Sequence, residues 1–525
     1  MRKKIVSMLM AVTLVATMLA ACGNSEQAST GTTTESVDTT STESADAEVE
    51  DEEMAEINIA WMTLGVTDTS KTDAVVEAIN AITESEINVH VNMEFLDPAT
   101  YGTQIPMEIQ ANEKLDLLMY TPVPGASYTS FKGQNQLMDI SDLLDEYGSD
   151  IQSELGDFLQ GTTTTDGVYG VAANRLLASS LYVIMRKDVL DQLGLTEKAQ
   201  NMTTWAEYEE ILQAVKENTD LAPVANSDAE GSVLTVMPFF TNGDNFSDGR
   251  GFDTLGDTYN MIYAGTDGKV GCVYFSDEYA SAVTRTADWY QKGLIYKDAG
   301  TAQDFADTLI KNNVAFSYVV TGELGAAETK EASTGYEIVA TKVTDAVLST
   351  GSTLKFGFAV PITAEEPEAA VKMLNLMYSS SDIQNILAWG VEGRDWVEAN
   401  GEATYPDGVT AETVTYHMSD FLNGNQFITM PWEGNGADFR AVQKAEQDSA
   451  PISEYMGFSF DATEYETELT ACFNVVQQYK AGLGAGSYSD VEGTLKEFQD
   501  KMTAAGIDKV IAAYQEQLDA FMASK

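Results

Sequence analysis

The amino-acid sequence predicts an α/β protein whose parallel sheet is covered by helices. Short strand-like runs alternate with segments in which apolar residues recur at helical spacing. The chain has 525 residues, of which 44% are hydrophobic, so it can supply two or three domain cores.

The first segment, residues 1–21, has the pattern of a bacterial lipoprotein signal. A basic start precedes the apolar run 5–19, and the small residues Ala20 and Ala21 stand directly before Cys22. The run is shorter than the roughly 20 apolar residues that a transmembrane helix needs. The pattern predicts cleavage before Cys22, acylation of its sulfur and a protein held by lipid on the outer face of the cytoplasmic membrane. An ordinary secretory signal with a chance cysteine is the alternative.

Residues 22–56 are almost wholly Ser, Thr, Ala, Gly, Asp and Glu. Such a segment cannot bury enough apolar surface to fold. We expect a disordered acidic stalk between the lipid and a globular body.

The body begins with an alternation of strands and helices. Ile57, Ile59 and Trp61 alternate with smaller or polar residues, and further strands are predicted at 89–95 and 115–120 with helices between them. This order predicts a parallel sheet, and ligands of such sheets bind beyond the carboxyl ends of the strands.

The rest of the body continues the pattern. Gly506 is predicted to separate two C-terminal helices. The other predicted elements are strands at 181–185, 315–320 and 355–361 and helices at 205–217, 278–292 and 366–378.

The charge and the rare residues exclude several functions. A formal net charge of −53 disfavours nucleic acid and anionic lipid surfaces as partners. The two histidines, His90 and His417, have no metal-ligand spacing, and we expect neither a metal nor a cofactor. Cys272 and Cys472 fit two buried thiols or one bridge.

Several short strings then occur in an order that resembles one family. The order resembles the bacterial extracellular solute-binding proteins, which include maltose-binding protein, and the tail resembles a lipoprotein subgroup assigned to oligosaccharide import in Gram-positive bacteria. The strings are residues 166–171, 181–188, 203–208, 313–318 and 356–361, followed in the tail by 390–396, 457–461 and 505–510.

The resemblance implies a two-lobed fold with hinge crossovers, a cleft that closes on its ligand, and ABC permease subunits as partners of a monomeric receptor. It places lobe 1 at 57–162 and 348–392, and lobe 2, with the C-terminal helices, at 163–347 and 393–525.

Sugar binding requires aromatic faces for the rings and planar polar groups for the hydroxyls. Tyr120 and Glu323 stand at predicted strand ends, which favours a position in the cleft. A position of Trp61 in the core is as compatible with the pattern as one in the cleft. Instead of binding a ligand, Arg394 could equally form an ion pair with Glu392 or Asp395. The candidate ligand-binding residues are Trp61, Tyr120, Arg175, Asn242, Asp244, Glu323, Arg394, Trp396 and Trp432.

Two alternatives remain open. The 82 acidic residues permit a two-carboxylate glycoside hydrolase, because sequence does not show which carboxylates are close in space. The same receptor fold also fits a peptide ligand. We expect a receptor without catalytic residues.

Overall fold

The computed structural model describes residues 53–164, 166–226, 233–236, 243–246, 252–344 and 348–525. The predicted signal, Cys22, most of the predicted stalk and Asn242 lie outside the described residues. No helix within these ranges combines the length and the apolar composition needed to cross a membrane.

The strands in the described part of the chain are, in order, β1 (Ala55–Met62), β2 (Gly65–Thr67), β3 (Val89–Leu96), β4 (Leu117–Tyr120), β5 (Thr163–Thr164), β6 (Gly167–Val168), β7 (Val171–Ala172), β8 (Ser180–Arg186), β9 (Ala222–Val224), β10 (Phe252–Asp253), β11 (Ile262–Gly265), β12 (Val270–Cys272), β13 (Ala315–Gly322), β14 (Ile338–Thr344), β15 (Gly357–Ala359), β16 (Val397–Ala399), β17 (Glu402–Thr404) and β18 (Tyr416–Met418).

The α-helices are α1 (Asp73–Ile87), α2 (Pro98–Gln110), α3 (Tyr128–Gly133), α4 (Ser141–Tyr147), α5 (Ser149–Leu155), α6 (Lys187–Leu193), α7 (Thr196–Asn201), α8 (Trp205–Asn218), α9 (Val233–Val236), α10 (Asp277–Gln291), α11 (Ala306–Lys311), α12 (Ala326–Thr334), α13 (Thr350–Thr353), α14 (Pro367–Ser379), α15 (Ser381–Trp389), α16 (Phe439–Ser449), α17 (Glu466–Ala485), α18 (Val491–Ala505) and α19 (Ile507–Ser524).

Lobe 1 is built on a five-stranded sheet of order β3-β1-β4-β15-β7. Strand β1 pairs in parallel with β3 and β4, and α1 and α2 connect them, as the sequence predicts. Strand β15 runs antiparallel to β4, because the chain returns from lobe 2 and enters this sheet from the opposite end. The sheet is therefore mixed rather than parallel throughout.

Local sequence sets the ends of the first two helices. Helix α1 ends at Asn88, which takes a left-handed conformation with φ 55°, a conformation that asparagine tolerates better than most residues. Helix α2 begins after Asp97, whose carboxylate accepts the backbone N–H groups of Ala99 and Thr100. Pro98 occupies the first helical turn, where no intrahelical donor is lost.

Lobe 2 contains a four-stranded sheet of order β14-β8-β13-β9. Strand β8 is antiparallel to both β13 and β14, whereas β9 is parallel to β13. Trp205 and Trp289 lie fully buried in one of its two cores. Because a separate apolar cluster that includes Tyr318 also forms on this sheet, its strands read as nearly continuous apolar runs.

A third core joins the small sheet β10-β11-β12 to the last three helices. Gly506, with φ 102°, separates α18 from α19. Cys272 and Cys472 are both buried in this core as free thiols. We call β10–β12, their connecting residues and residues 454–525 the C-terminal body.

The chain near β18 differs from the predicted lobe boundary. Residues 393–525 were expected in lobe 2, but Tyr416, Met418 and Leu422 lie in the core of lobe 1. The reason is that β18 pairs antiparallel with β2, which follows β1 directly.

In the described part of the chain, three segments cross between the lobes: one between β7 and β8, one between β14 and β15, and one between β18 and α16. The first pairs with the third through Asn174 and Asn425. The second pairs with the chain after α16 through Leu348 and Ile452. The first also bonds to the second, since Ala173 donates its backbone N–H to the Phe356 carbonyl at 3.0 Å, so the three crossing segments lie side by side.

Candidate ligand-binding cleft

A cavity of about 720 Å³ lies between the lobes, on the side of the crossing segments. Its volume is within the range of about 300–1,000 Å³ that is usual for small-molecule sites. Lobe 1 contributes the chain after β4, and lobe 2 contributes the start of β8 and the ends of β13 and β14. The lining residues are Pro122, Val123, Pro124, Ser127, Tyr128, Thr129, Ser179, Ser180, Leu181, Thr254, Gly256, Asp257, Thr258, Tyr259, Asn260, Thr321, Thr344, Ser349, Gly351, Ser352, Leu354 and Lys355.

Hydroxyl groups dominate this lining. Twelve of the 22 residues are Ser, Thr or Tyr, and only Asp257 and Lys355 carry a charge. A hydroxyl can donate one hydrogen bond and accept two, so it matches another hydroxyl in either role. The cavity therefore suits a neutral ligand with many hydroxyls better than an ion.

Asp257 does not offer its carboxylate to a ligand. The carboxylate accepts backbone N–H groups from Tyr259 at 2.9 Å, Met261 at 2.6 Å and Ile262 at 2.8 Å. Burial raises the pKa of Asp257 above its ordinary value, and the three hydrogen bonds oppose that rise. Its role is to fix the chain that forms one wall of the cavity.

A group of charged side chains lies behind the cavity at the crossing segments. Arg175 Nη1 lies 3.8 Å from Glu323 Oε1, and the Arg175 guanidinium stands near the rings of Phe356 and Phe421. Burial lowers the pKa of Arg175 and of Lys355 and raises that of Glu323. Arg175 is 9% exposed, and its buried Nε has no hydrogen-bond partner among the described residues, so this group is only loosely paired.

A group of aromatic side chains lies beside the cavity in lobe 1. We use the name aromatic group for Trp389, Trp396, Tyr405, His417 and Trp432. The Trp432 ring centroid lies 4.3 Å from that of His417, 4.7 Å from Tyr405 and 5.0 Å from Trp389. Ser419 donates its backbone N–H to Leu64, just beyond the carboxyl end of β1. The group therefore lies at the same sheet edge as the cavity, which follows β4.

Among the residues predicted for the cleft, Trp61 and Tyr120 lie in the core of lobe 1. The Trp61 ring packs 5.7 Å from Phe358, because it continues the inward face of Ile57 and Ile59. The Tyr120 hydroxyl donates to the Thr353 carbonyl at 3.2 Å. Both side chains are fully enclosed, so neither reaches the cavity surface.

Arg394 and Trp396 have structural partners away from the cavity. Arg394 donates two hydrogen bonds to Asp395 Oδ2 and one to the Lys71 carbonyl. Trp396 is buried and donates its Nε1–H to the Gly390 carbonyl at 3.0 Å. The pairing of Arg394 with Asp395 is one that the sequence suggested.

Asp244 and Trp432 are more accessible. Asp244 is exposed in lobe 2, where its carbonyl accepts the first backbone N–H of α8, from Trp205. Trp432 is half-buried in the aromatic group. Of the predicted residues, the structure brings Arg175 and Glu323 together, leaves Trp432 on the same sheet edge, and places Asp244 elsewhere.

Sequence reasoning missed the residues that line the cavity. Tyr259, Asn260, Ser349, Ser352 and Lys355 carried no recognisable motif. One signal was present: residues 349–353 read Ser, Thr, Gly, Ser, Thr shortly before a predicted strand, and such a polar run between apolar segments predicts a connection rather than a strand. Within the described residues, no cluster of three or more His, Cys, Asp or Glu is placed to hold a metal ion.

Comparison with known proteins agrees with this architecture. A family profile described as bacterial extracellular solute-binding protein matches residues 77–391, and one described as a domain of unknown function (DUF3502) matches residues 454–523. A carbohydrate ABC transporter substrate-binding protein of Streptococcus pneumoniae serotype 4 is 22% identical over 469 residues, which cover 86% of this chain and 89% of the relative.

Solved structures show the same fold. The N-glycan transport solute binding protein NgtS from Streptococcus pneumoniae aligns with a TM-score of 0.75 at 20% identity, covering 89% of this chain and 99% of that chain. A crystal structure of NgtS in complex with Man5GlcNAc aligns with a TM-score of 0.64 at 20% identity, covering 90% of this chain and 99% of that chain. The two-lobed α/β fold predicted from sequence is confirmed.

Proposed function

Because the chain belongs to the family of bacterial extracellular solute-binding proteins, we propose that it is a receptor that binds an oligosaccharide and delivers it to an ABC-type importer. The observation that carries the proposal is the cavity between the lobes, whose lining is rich in hydroxyls and poor in charge. The relatives support the same ligand class, since NgtS was crystallised with Man5GlcNAc.

The proposed mechanism is a population shift without covalent chemistry. An oligosaccharide bound between the lobes contacts both of them, so it stabilises the conformation in which they are close. The permease then recognises that conformation. Ser127 and Thr129 of lobe 1 and Thr321 and Thr344 of lobe 2 line the same cavity.

We place the cavity residues at the centre of the ligand site and the aromatic group at its outer edge. Glu323 and Trp432 are the sequence-derived residues that fit this arrangement best. Glu323 has a side chain 42% exposed beside Arg175, and Trp432 is the half-buried tryptophan of the aromatic group. Aromatic faces bind the C–H surfaces of sugar rings through dispersion and polar-edge contacts.

A hydrolase receives little support from the cavity. Among its described lining residues, Asp257 is the one carboxylate, and that carboxylate is occupied by three backbone N–H groups. Glycoside hydrolysis requires two carboxyl groups on either side of the bond that is cut. We therefore propose a receptor and not an enzyme.

The N-terminal sequence supports a lipid anchor at Cys22. Export and acylation would keep the receptor at the outer face of the cytoplasmic membrane, close to permease subunits. Expression of Cys22→Ser with the native signal tests this. We expect the variant in the medium instead of the membrane fraction, and membrane retention of the variant would contradict the anchor.

The central experiment is calorimetry of residues 54–525 with Man5GlcNAc, neutral oligosaccharides of other linkage and short peptides. Melting curves of the same mixtures give a second readout, because a ligand that binds the folded state raises the melting temperature by mass action. A saturable isotherm with one oligosaccharide class, and intact sugar after incubation, is the expected result. Cleaved sugar would indicate a hydrolase, and binding of peptides alone would overturn the ligand class.

A further inference from the structure

One wall of the cavity comes from a short segment between β10 and β11. Residues 254–260 form this wall segment, and six of its seven residues line the cavity. The seventh, Leu255, points the other way and is 1% exposed in the core of the C-terminal body. The segment therefore has one face on the cavity and one face on the helices behind it.

The helices of the C-terminal body support that back face. The Tyr259 ring lies 5.1 Å from the ring of Phe473 on α17. Met261, directly after the segment, is fully buried in the same core as Tyr514 of α19. The position of Tyr259 in the cavity wall thus depends on side chains from residues 454–525.

Hydrogen bonds tie the wall segment to the crossing chain and to the beginning of the C-terminal helical region. Asp253 accepts the Leu255 N–H at 2.7 Å and the Thr350 N–H at 3.4 Å. Thr350 Oγ1 donates to the Tyr455 carbonyl at 2.9 Å and accepts the Gly457 N–H at 3.2 Å. The network connects three pieces of chain that are far apart in sequence.

The cavity face of the segment carries groups that suit a sugar ring. Thr258 and Asn260 are exposed, and Tyr259 is half-buried. Asn260 adopts a left-handed conformation with φ 55°, which an asparagine tolerates without the strain of a branched residue. Its amide offers two donors and one acceptor oxygen, and the Tyr259 ring offers an apolar face.

From these contacts we propose that the C-terminal body, whose residues 454–523 match a domain of unknown function, acts as a ligand-selecting wall of the cleft. It holds Tyr259 against one pyranose ring of the oligosaccharide and presents Thr258 and Asn260 to the hydroxyls of that ring. This inference rests on the proposed receptor function.

Calorimetry of three variants with Man5GlcNAc, or with the best oligosaccharide of the panel, tests the wall. Asn260→Ala removes a direct contact, Phe473→Leu removes the ring behind Tyr259, and Tyr488→Leu is the matched control. Tyr488 is a partly buried aromatic beside Gly482, near the opposite end of α17. We expect roughly tenfold weaker binding for N260A and several-fold weaker binding for F473L, with Y488L unchanged.

Hydrogen exchange of the ligand-free proteins supplies a second readout. We expect F473L to increase exchange in residues 254–262 and Y488L to leave it unchanged, while bound sugar protects the same segment in the wild type. Asn260 is exposed, so its replacement keeps the test valid where F473L disturbs folding. Asn260→Gly accompanies N260A, because glycine accepts the φ of 55° without the strain of a Cβ, and it should show the same loss of affinity.

The outcomes separate this inference from the proposed function. If the wild type binds an oligosaccharide and both N260A and F473L bind it with the same affinity, the proposed wall is overturned and the receptor function stays intact. Failure of the wild type to bind any oligosaccharide would overturn the receptor function and the wall with it.

Discussion

The cavity and the aromatic group lie at one edge of the same sheet but have opposite chemistry. Hydroxyl side chains line the cavity, whereas the aromatic group consists of four large rings and a histidine that pack on one another. Apolar rings gain more from burying one another than from facing water, so Trp389 and Trp396 are enclosed, and the other three members of the group are half-buried. In this chain an aromatic residue near a strand end is therefore a weaker indicator of the proposed site than a run of hydroxyls on the crossing chain.

Trp396→Ala should give the largest loss of stability. It tests whether the buried part of the aromatic group is structural. Trp396 is 6% exposed and donates to the Gly390 carbonyl, so its loss should lower the free energy of unfolding by about 3–5 kcal/mol. Denaturant titration followed by fluorescence measures this. Trp396→Phe should lower the free energy of unfolding by less. If Trp396→Ala instead loses affinity for the ligand without losing stability, Trp396 contacts the ligand.

Trp432→Ala sharpens the comparison at the exposed border of the aromatic group. Because Trp432 is half-buried against three rings, we expect a stability loss of about 2 kcal/mol. We also expect weaker binding of long oligosaccharides and unchanged binding of disaccharides, measured by calorimetry. Equal losses for both lengths would place Trp432 at the centre of the site rather than its edge.

Lys355→Met tests the cavity side. The lysine is exposed to the cavity, where desolvation within the cleft and the nearby Arg175 lower its pKa, so methionine should not reduce stability. Loss of its donors should weaken oligosaccharide binding about tenfold, or about 1.4 kcal/mol. Lys311→Met, on the exposed end of α11, is the control and should change neither property.

Replacing His417 should give the smallest effect on stability. That effect should be visible only in how stability depends on pH. Burial lowers the pKa of His417 in the folded protein, so below the ordinary histidine pKa the unfolded chain takes up a proton that the folded chain does not. Stability is then lost as the pH falls from about 7.5 toward the folded pKa.

Melting temperatures at a series of pH values check this prediction. His417→Gln should flatten the decline. An identical slope in H417Q and the wild type would contradict a titrating role for His417.

Local patterns predicted much of the fold. Apolar alternation and helix caps are properties of neighbouring residues, so the strands β1, β3 and β4 were predicted close to their observed positions, with a helix in each interval. The antiparallel entry of β15 and the pairing of β18 with β2 depend on residues hundreds of positions apart. No local pattern encodes such pairings, and for this reason the boundary of lobe 2 was misplaced.

The site was less predictable for a similar reason. Arg175 and Glu323 were chosen separately and do meet, because both follow strand ends near the crossing chain. Tyr120 also stands at a strand end, but its ring turns inward beneath Gly170 and Gly357. A Cβ at Gly357 would lie 2.3 Å from the Tyr120 hydroxyl, so the absence of a side chain there makes room for the ring.

The side-by-side crossing segments restrict how the lobes can move. A single linker permits both bending and twisting, whereas adjacent segments joined at Asn174 with Asn425 and at Ala173 with Phe356 resist rotation about their own direction. The proposed closure is thereby reduced to bending about one axis. A ligand then fixes little orientational freedom when it binds, and more of its contact energy remains as affinity.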